Sequence, residues 1–131
     1  VLWNRARSLV FSTGLPVPVL AASLAAVRLI AGPEGAVLRA RLERHRATLE
    51  SPSQIIPLII GEDRRAVAAM NRLLEVGLLV QAIRPPTVPV GTSRLRLSLS
   101  AALSDDDMRL VLAAVRTLEA EGWLVPRGTS P

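Results

Sequence analysis

Arg84, Arg94 and Arg96 are the residues of this sequence best placed to do chemistry, and that chemistry is anion recognition. They fall in one constrained stretch, Ile83-Arg84-Pro85-Pro86-Thr87-Val88-Pro89-Val90-Gly91-Thr92-Ser93-Arg94-Leu95-Arg96. Pro85, Pro86 and Pro89 each fix a backbone angle and remove a donor, which predicts a stiff, extended arm able to position a side chain at little entropic cost. Arg84 opens that arm, where a planar guanidinium can meet a carboxylate or phosphate in bidentate fashion. Arg94 and Arg96 share one face of the next strand, opposite Leu95, Leu97 and Leu99, because strand side chains alternate. By spacing alone a solvated sheet face is the usual explanation of such alternation, and the favoured one. The concentration of three arginines around a proline-rich loop and a Gly-Thr turn favours an anion. The stretch holds no base, nucleophile or metal ligand, so by itself it binds and does not catalyse.

The rest of the inventory removes whole chemistries. All sixteen basic residues are arginine, and the chain contains neither cysteine nor tyrosine and only one histidine. A disulfide, a thiolate nucleophile and a cysteine-ligated zinc are excluded, and a lone His45 builds no His-rich metal site. Without lysine there is no Schiff-base amine and no phosphate-loop lysine. The net charge of +5 and pI near 11.5 are the arithmetic of nucleic-acid or acidic-ligand binders. The arginines are scattered, however, and Trp3, Phe11 and Trp123 leave little for base stacking.

The elements that must position these residues are read from periodicity. Pro18 to about Ile30 predicts a helix stopped by Gly32-Pro33, and Pro33 suits the first position of a second helix through Leu38, Leu42 and Leu49. The other faces of that helix carry arginines and His45, which is expected to be exposed and without chemistry. Ile55–Gly61 reads as a strand at a sheet edge, since Pro57 cannot donate to a ladder. Glu62 and Asp63 open a helix with Val67, Met70 and Leu74 on its buried face and Gly77 at its end. Residues 78–83 and 94–100 are the next strands. Ser104 and Asp107 form a capping-box signature, followed by the stripe Met108, Val111, Leu112, Val115 and Leu118 before Gly122.

The fold class that follows is α/β: helices, then βαββα, with a boundary near Ser51. At 131 residues and half apolar composition the chain is one ordinary domain or a piece of a larger protein. Its start at Val1 reads as an excerpt. Gly14, Pro16, Pro18 and Arg28 interrupt the apolar N-terminal run, which argues against a signal peptide or a membrane span.

The run from Ala82 to Pro89, with Gly91-Thr92 and Arg94-Leu95-Arg96-Leu97-Ser98-Leu99-Ser100-Ala101-Ala102, closely resembles the C-terminal signature of the 8-amino-7-oxononanoate synthases, a branch of the α-oxoamine synthases. Asn4-Arg5-Ala6-Arg7, Phe11-Ser12-Thr13-Gly14-Leu15-Pro16 and Ile55–Gly61 resemble the same family in the same order. The resemblance implies the C-terminal portion of a homodimeric, cytoplasmic pyridoxal 5'-phosphate enzyme of the aspartate-aminotransferase fold. Such an enzyme condenses L-alanine with pimeloyl-CoA or a pimeloyl-carrier protein, with decarboxylation, in biotin biosynthesis, and calls on neither nucleic acid nor membrane. It implies residues 1–50 as a helical segment linking the large cofactor domain to the small one, and 51–131 as the small domain. By the same resemblance Arg84 and Arg96 lie near the substrate carboxylate, Thr87 belongs to the substrate site, and Ser12 and Thr13 reach the cofactor phosphate of the neighbouring subunit. The family's Schiff-base lysine, cofactor-stacking histidine and ring-nitrogen aspartate have no counterpart here, which implies that the chain alone is inactive. Leu103 stands where the family often has histidine, and the stretch between Arg46 and Ile55 is shorter than usual. A non-catalytic anion- or nucleic-acid-binding module and an inactive remnant are the other readings of these residues.

Overall fold

The computed structural model describes Arg5 and residues 14–126. The chain divides into two compact units, Val1–Leu38 and Arg39–Pro131. The division falls within a helix, earlier in the chain than the boundary expected near Ser51.

In the first unit, α1 spans Val17–Ala31, with Pro18 in its first turn, where the missing N–H would be unpaired anyway. None of its residues is buried, and Val17, Leu20, Leu24, Val27 and Ile30 are all exposed. It ends at Gly32, whose N–H bonds to the carbonyls of Arg28 and Leu29. Helix α2 (Pro33–Thr48) follows at once. A side chain at Gly35 would run into the backbone carbonyl of Ile30, so this junction requires glycine.

The second unit is a three-stranded antiparallel sheet with helices on one face. β1 (Ile55–Gly61), β2 (Gln81–Ile83) and β3 (Ser93–Ser98) lie in the order β1-β3-β2. β1 is therefore an edge strand, as Pro57 requires. Ile56, Leu58 and Ile60 alternate inward with Leu95, Leu97 and Leu99, which fixes the register. These side chains meet the buried faces of α3 (Asp63–Glu75) and α4 (Asp105–Ala120).

The caps account for where the helices begin and end. The Glu62 carboxylate accepts from the N–H groups of Arg64 and Arg65 at the start of α3. Ser104 and Asp107 form the expected capping box on α4. Gly77 and Gly122 have positive φ and close α3 and α4 with paired bonds, Leu78 N–H to Leu73 O and Gly77 N–H to Leu74 O, then Trp123 N–H to Leu118 O and Gly122 N–H to Glu119 O.

Four expectations are corrected. His45 is buried at 5% exposure, its Nδ1 lying 3.1 Å from the carbonyl of Ser100, because it shares the inward side of α2 with Leu42, continued by Leu49 just past the helix end. The buried face of α3 is Ala66, Ala69 and Leu73, while Leu74 is 54% exposed. Two alanines bring the helix close to the sheet, and the stripe rotates by one residue. The strand expected over residues 78–83 pairs only from Gln81, and Leu78, Leu79 and Val80 are spent leaving the helix end. Finally, the proline-rich loop is not extended. It makes a turn closed by Thr87 N–H on Arg84 O at 3.0 Å, with Pro85 and Pro86 joined by a cis bond, and a second closed by Thr92 N–H on Pro89 O. A four-residue turn needs a donor only at its last position, and Thr87 and Thr92 supply it, so prolines inside are no obstacle.

Candidate carboxylate-binding face

The helices cover one face of the sheet and leave the other open within the second unit. On that open face Arg96 lies in the central strand, with Pro57 of β1 and Gln81 of β2 as its direct neighbours across the ladder. Arg94 lies two residues earlier on the same face, beside Ile83 and Ile59. The two arginines are held differently. Arg96 donates from Nη2 to Oε1 of Gln81 at 2.7 Å, whereas Arg94 donates from Nε to the carbonyl of Thr92 at 3.0 Å, a bond to its own strand entrance.

Arg84 immediately follows Ile83, the last residue of β2 to pair, opposite Arg94. Its backbone is pinned by the turn to Thr87, and its side chain is exposed. Among the described residues, the guanidinium of Arg84 has no hydrogen-bond or ion-pair partner, and Arg96 has no carboxylate partner. Ion pairs are formed elsewhere, among them Arg46–Glu43, Arg72–Glu121 and Arg109–Asp106. Thr87 is exposed at the far end of the same turn. Arg94 and Arg96 thus share the open face of β3, while Arg84 and Thr87 sit on the turn that leaves β2 beside it. Ser12 and Thr13 lie outside the described residues. Gln81 was not singled out from the sequence, because pairing it with Arg96 requires the hairpin register across a nine-residue loop.

Two further hydrogen bonds tie the second unit together, one from a fully buried hydroxyl and one from a half-buried guanidinium. The Ser93 hydroxyl, fully buried at the start of β3, donates to Oδ1 of Asp63 at 2.6 Å. Arg41 donates to the carbonyl of Leu103 at 2.9 Å, and the Leu103 side chain packs against the core. Among the described residues no group of three or more His, Asp or Glu could hold a metal ion. What this face can do chemically is bind an anion: fixed positive charge, planar donors and no adjacent carboxylate to neutralise it.

The model of the aminotransferase class I and II family matches residues 4–115. The chain belongs to this family. Among curated relatives, the aminotransferase-family chain is 46% identical over 129 residues to an 8-amino-7-oxononanoate synthase of Geobacter metallireducens, a match covering 89% of this chain and 33% of the relative. The fold is shared with a serine palmitoyltransferase of Sphingomonas wittichii, at TM-score 0.70 and 32% identity over 95% of this chain and 35% of that one. A serine palmitoyltransferase solved with pyridoxal phosphate superposes at TM-score 0.75, with 24% identity over 94% of this chain and 34% of that one, a likeness of fold. The chain spans about a third of the length of the curated relatives it matches. Its fold class is the small α/β domain of the fold-type I, pyridoxal-phosphate-dependent enzymes.

The residues of this family member do not by themselves fit that cofactor. The chain has no lysine to bind it covalently. What its described residues offer is positive charge on planar donors, a chemistry suited to an anion.

Proposed function

We propose that this chain supplies the substrate-carboxylate side of an 8-amino-7-oxononanoate synthase-type acyltransferase, which joins L-alanine to pimeloyl-CoA or a pimeloyl-carrier protein with loss of carbon dioxide, in cytoplasmic biotin biosynthesis. Arg84 is the observation that carries the reading. A charged guanidinium whose backbone is locked by a turn, and whose side chain has no partner among the described residues, is prepared for an anion that arrives from outside. An α-carboxylate offers two oxygens that match the guanidinium fork, and Arg96 on the open face provides a second positive group. Thr87 adds a hydroxyl that can donate to or accept from the substrate. Ser12 and Thr13 are proposed to reach the cofactor phosphate across a homodimer, and the exposed apolar residues of α1 suit a helix that rests on a larger cofactor-bearing domain.

The experiment joins this chain in frame to the remaining, lysine-bearing part of the Geobacter metallireducens relative. Release of labelled carbon dioxide from carboxyl-labelled alanine in the presence of pimeloyl-CoA is expected from the chimera and not from the 131-residue chain alone. A folded chimera that binds pyridoxal phosphate yet releases none overturns the reading.

A further inference from the structure

We propose that Gln81 is a positioning residue for the carboxylate site: it fixes the guanidinium of Arg96 while leaving its charge uncancelled. This rests on the carboxylate reading above. Arg96 stands in the central strand, so both of its lateral neighbours on the open face are fixed by the ladder, Pro57 on one side and Gln81 on the other. The proline ring has no polar atom to offer. The amide of Gln81 does, and its Oε1 takes one N–H of Arg96 at 2.7 Å.

The neutrality of the partner matters as much as its reach. A carboxylate at this position would orient the guanidinium equally well but would cancel the charge that a substrate must meet. A glutamine orients it through a carbonyl oxygen and leaves the full positive charge with the unused N–H groups. Fixing a long, rotamer-rich side chain before the ligand arrives removes an ordering cost that binding would otherwise carry. Arg94 is held differently, through Nε to the carbonyl of Thr92 at its own strand entrance, so Gln81 orients Arg96 and not Arg94.

Two measurements test this. In the chimera, Gln81→Met keeps the length of the side chain and removes the acceptor, so the KM for alanine is expected to rise about 3- to 10-fold, the range expected for one immobilised side chain. The kcat and the KM for the pimeloyl thioester should stay unchanged. Gln81→Glu should raise the alanine KM further than Gln81→Met, a split that a merely structural role would not produce. If Gln81→Met leaves the alanine KM unchanged while Arg96→Ala raises it, the positioning role is overturned and the carboxylate reading stands. If Arg96→Ala also leaves it unchanged, the assignment of Arg96 itself fails.

The second measurement needs no turnover. In the full chain labelled with 15N-arginine, the Arg96 Nη protons should resolve into separate, slowly exchanging resonances that merge in Gln81→Met without a change in the thermal midpoint. Identical Arg96 spectra in the two proteins, or a lowered midpoint, would overturn the proposal.

Discussion

Ser93 donates its hydroxyl to Asp63 from a position with no solvent exposure, tying the first residue of β3 to the first turn of α3. The two partners are unequal, because Asp63 is only half-buried and Ser93 is closed off entirely. Ser93→Ala lets Asp63 turn to water and should cost roughly 1 kcal/mol, the net worth of an ordinary hydrogen bond. Asp63→Ala strands the buried hydroxyl and removes a favourable charge from the helix N-terminus, for about 2 kcal/mol in all. Urea denaturation of the two variants should place Asp63→Ala at the lower midpoint, and the double variant no lower than Asp63→Ala. The reverse order would mean that the bond is not the brace described.

The difference between Arg84 and Arg94 predicts a kinetic split. In the chimera, Arg84→Ala removes a guanidinium with no other partner among the described residues, and should lower kcat/KM for alanine by at least ~30-fold, equivalent to about 2 kcal/mol for an unpaired charge. Arg94→Ala removes a side chain engaged with the Thr92 carbonyl and should change alanine use by less than about 3-fold, because its role is local. Steady-state kinetics over a range of alanine concentrations measure both. Equal and negligible effects would remove Arg84 from the site.

His45 predicts a stability effect in a place where charge patterning suggests none. Its Nδ1 serves the Ser100 carbonyl, which lies in the turn between β3 and α4. His45→Ala leaves that carbonyl with only the 3.3 Å bond from the Leu103 N–H and opens a gap beside Leu42 and Leu49, for a loss of about 2 kcal/mol. Arg44→Ala, one residue away and exposed, should fall within about ±0.5 kcal/mol. Equal midpoints for the two variants in chemical denaturation would place His45 outside the core.

These residues show what was legible in the sequence and what was not. The alternation of Leu95, Leu97 and Leu99 fixes one face of β3, the Ser104–Asp107 spacing fixes a cap, and Pro57 assigns an edge, because each depends on residues close in the chain. The burial of His45 carried a local signal too: it stands three residues after Leu42 and four before Leu49, on the apolar stripe, and the surrounding arginines obscured it. The face of α3 could not be read in the same way, since Ala66 and Ala69 are buried by close approach to the sheet and carry little hydrophobic signal of their own. The bonds Ser93–Asp63 and Arg96–Gln81 join residues 30 and 15 positions apart, and only the folded register brings them together. The three arginines of the candidate site were legible by type and spacing, whereas the separation of Arg96 from Arg94 by what holds each guanidinium was not.

The Asp107 carboxylate gives α4 an acid-sensitive start. Its Oδ2 accepts the Ser104 N–H at 2.8 Å and the Ser104 hydroxyl at 2.7 Å, while the same hydroxyl oxygen accepts the Asp107 N–H at 3.1 Å. The backbone donor first, then the hydroxyl, favour the charged form and hold the acid below its ordinary value of 3.8. The unfolded chain therefore takes up this proton at a higher pH than the folded one does. The cap's contribution is complete above the ordinary value and is lost as the pH falls through the lowered one. Ser104→Ala should cost about 1 kcal/mol near neutral pH, and both Ser104→Ala and Asp107→Asn should lose less stability than the parent between about pH 6 and pH 3. Urea midpoints at the two pH values decide the matter. If all three proteins lose the same stability on acidification, the charge on Asp107 is not what secures the start of α4, and the acid response must come from other carboxylates.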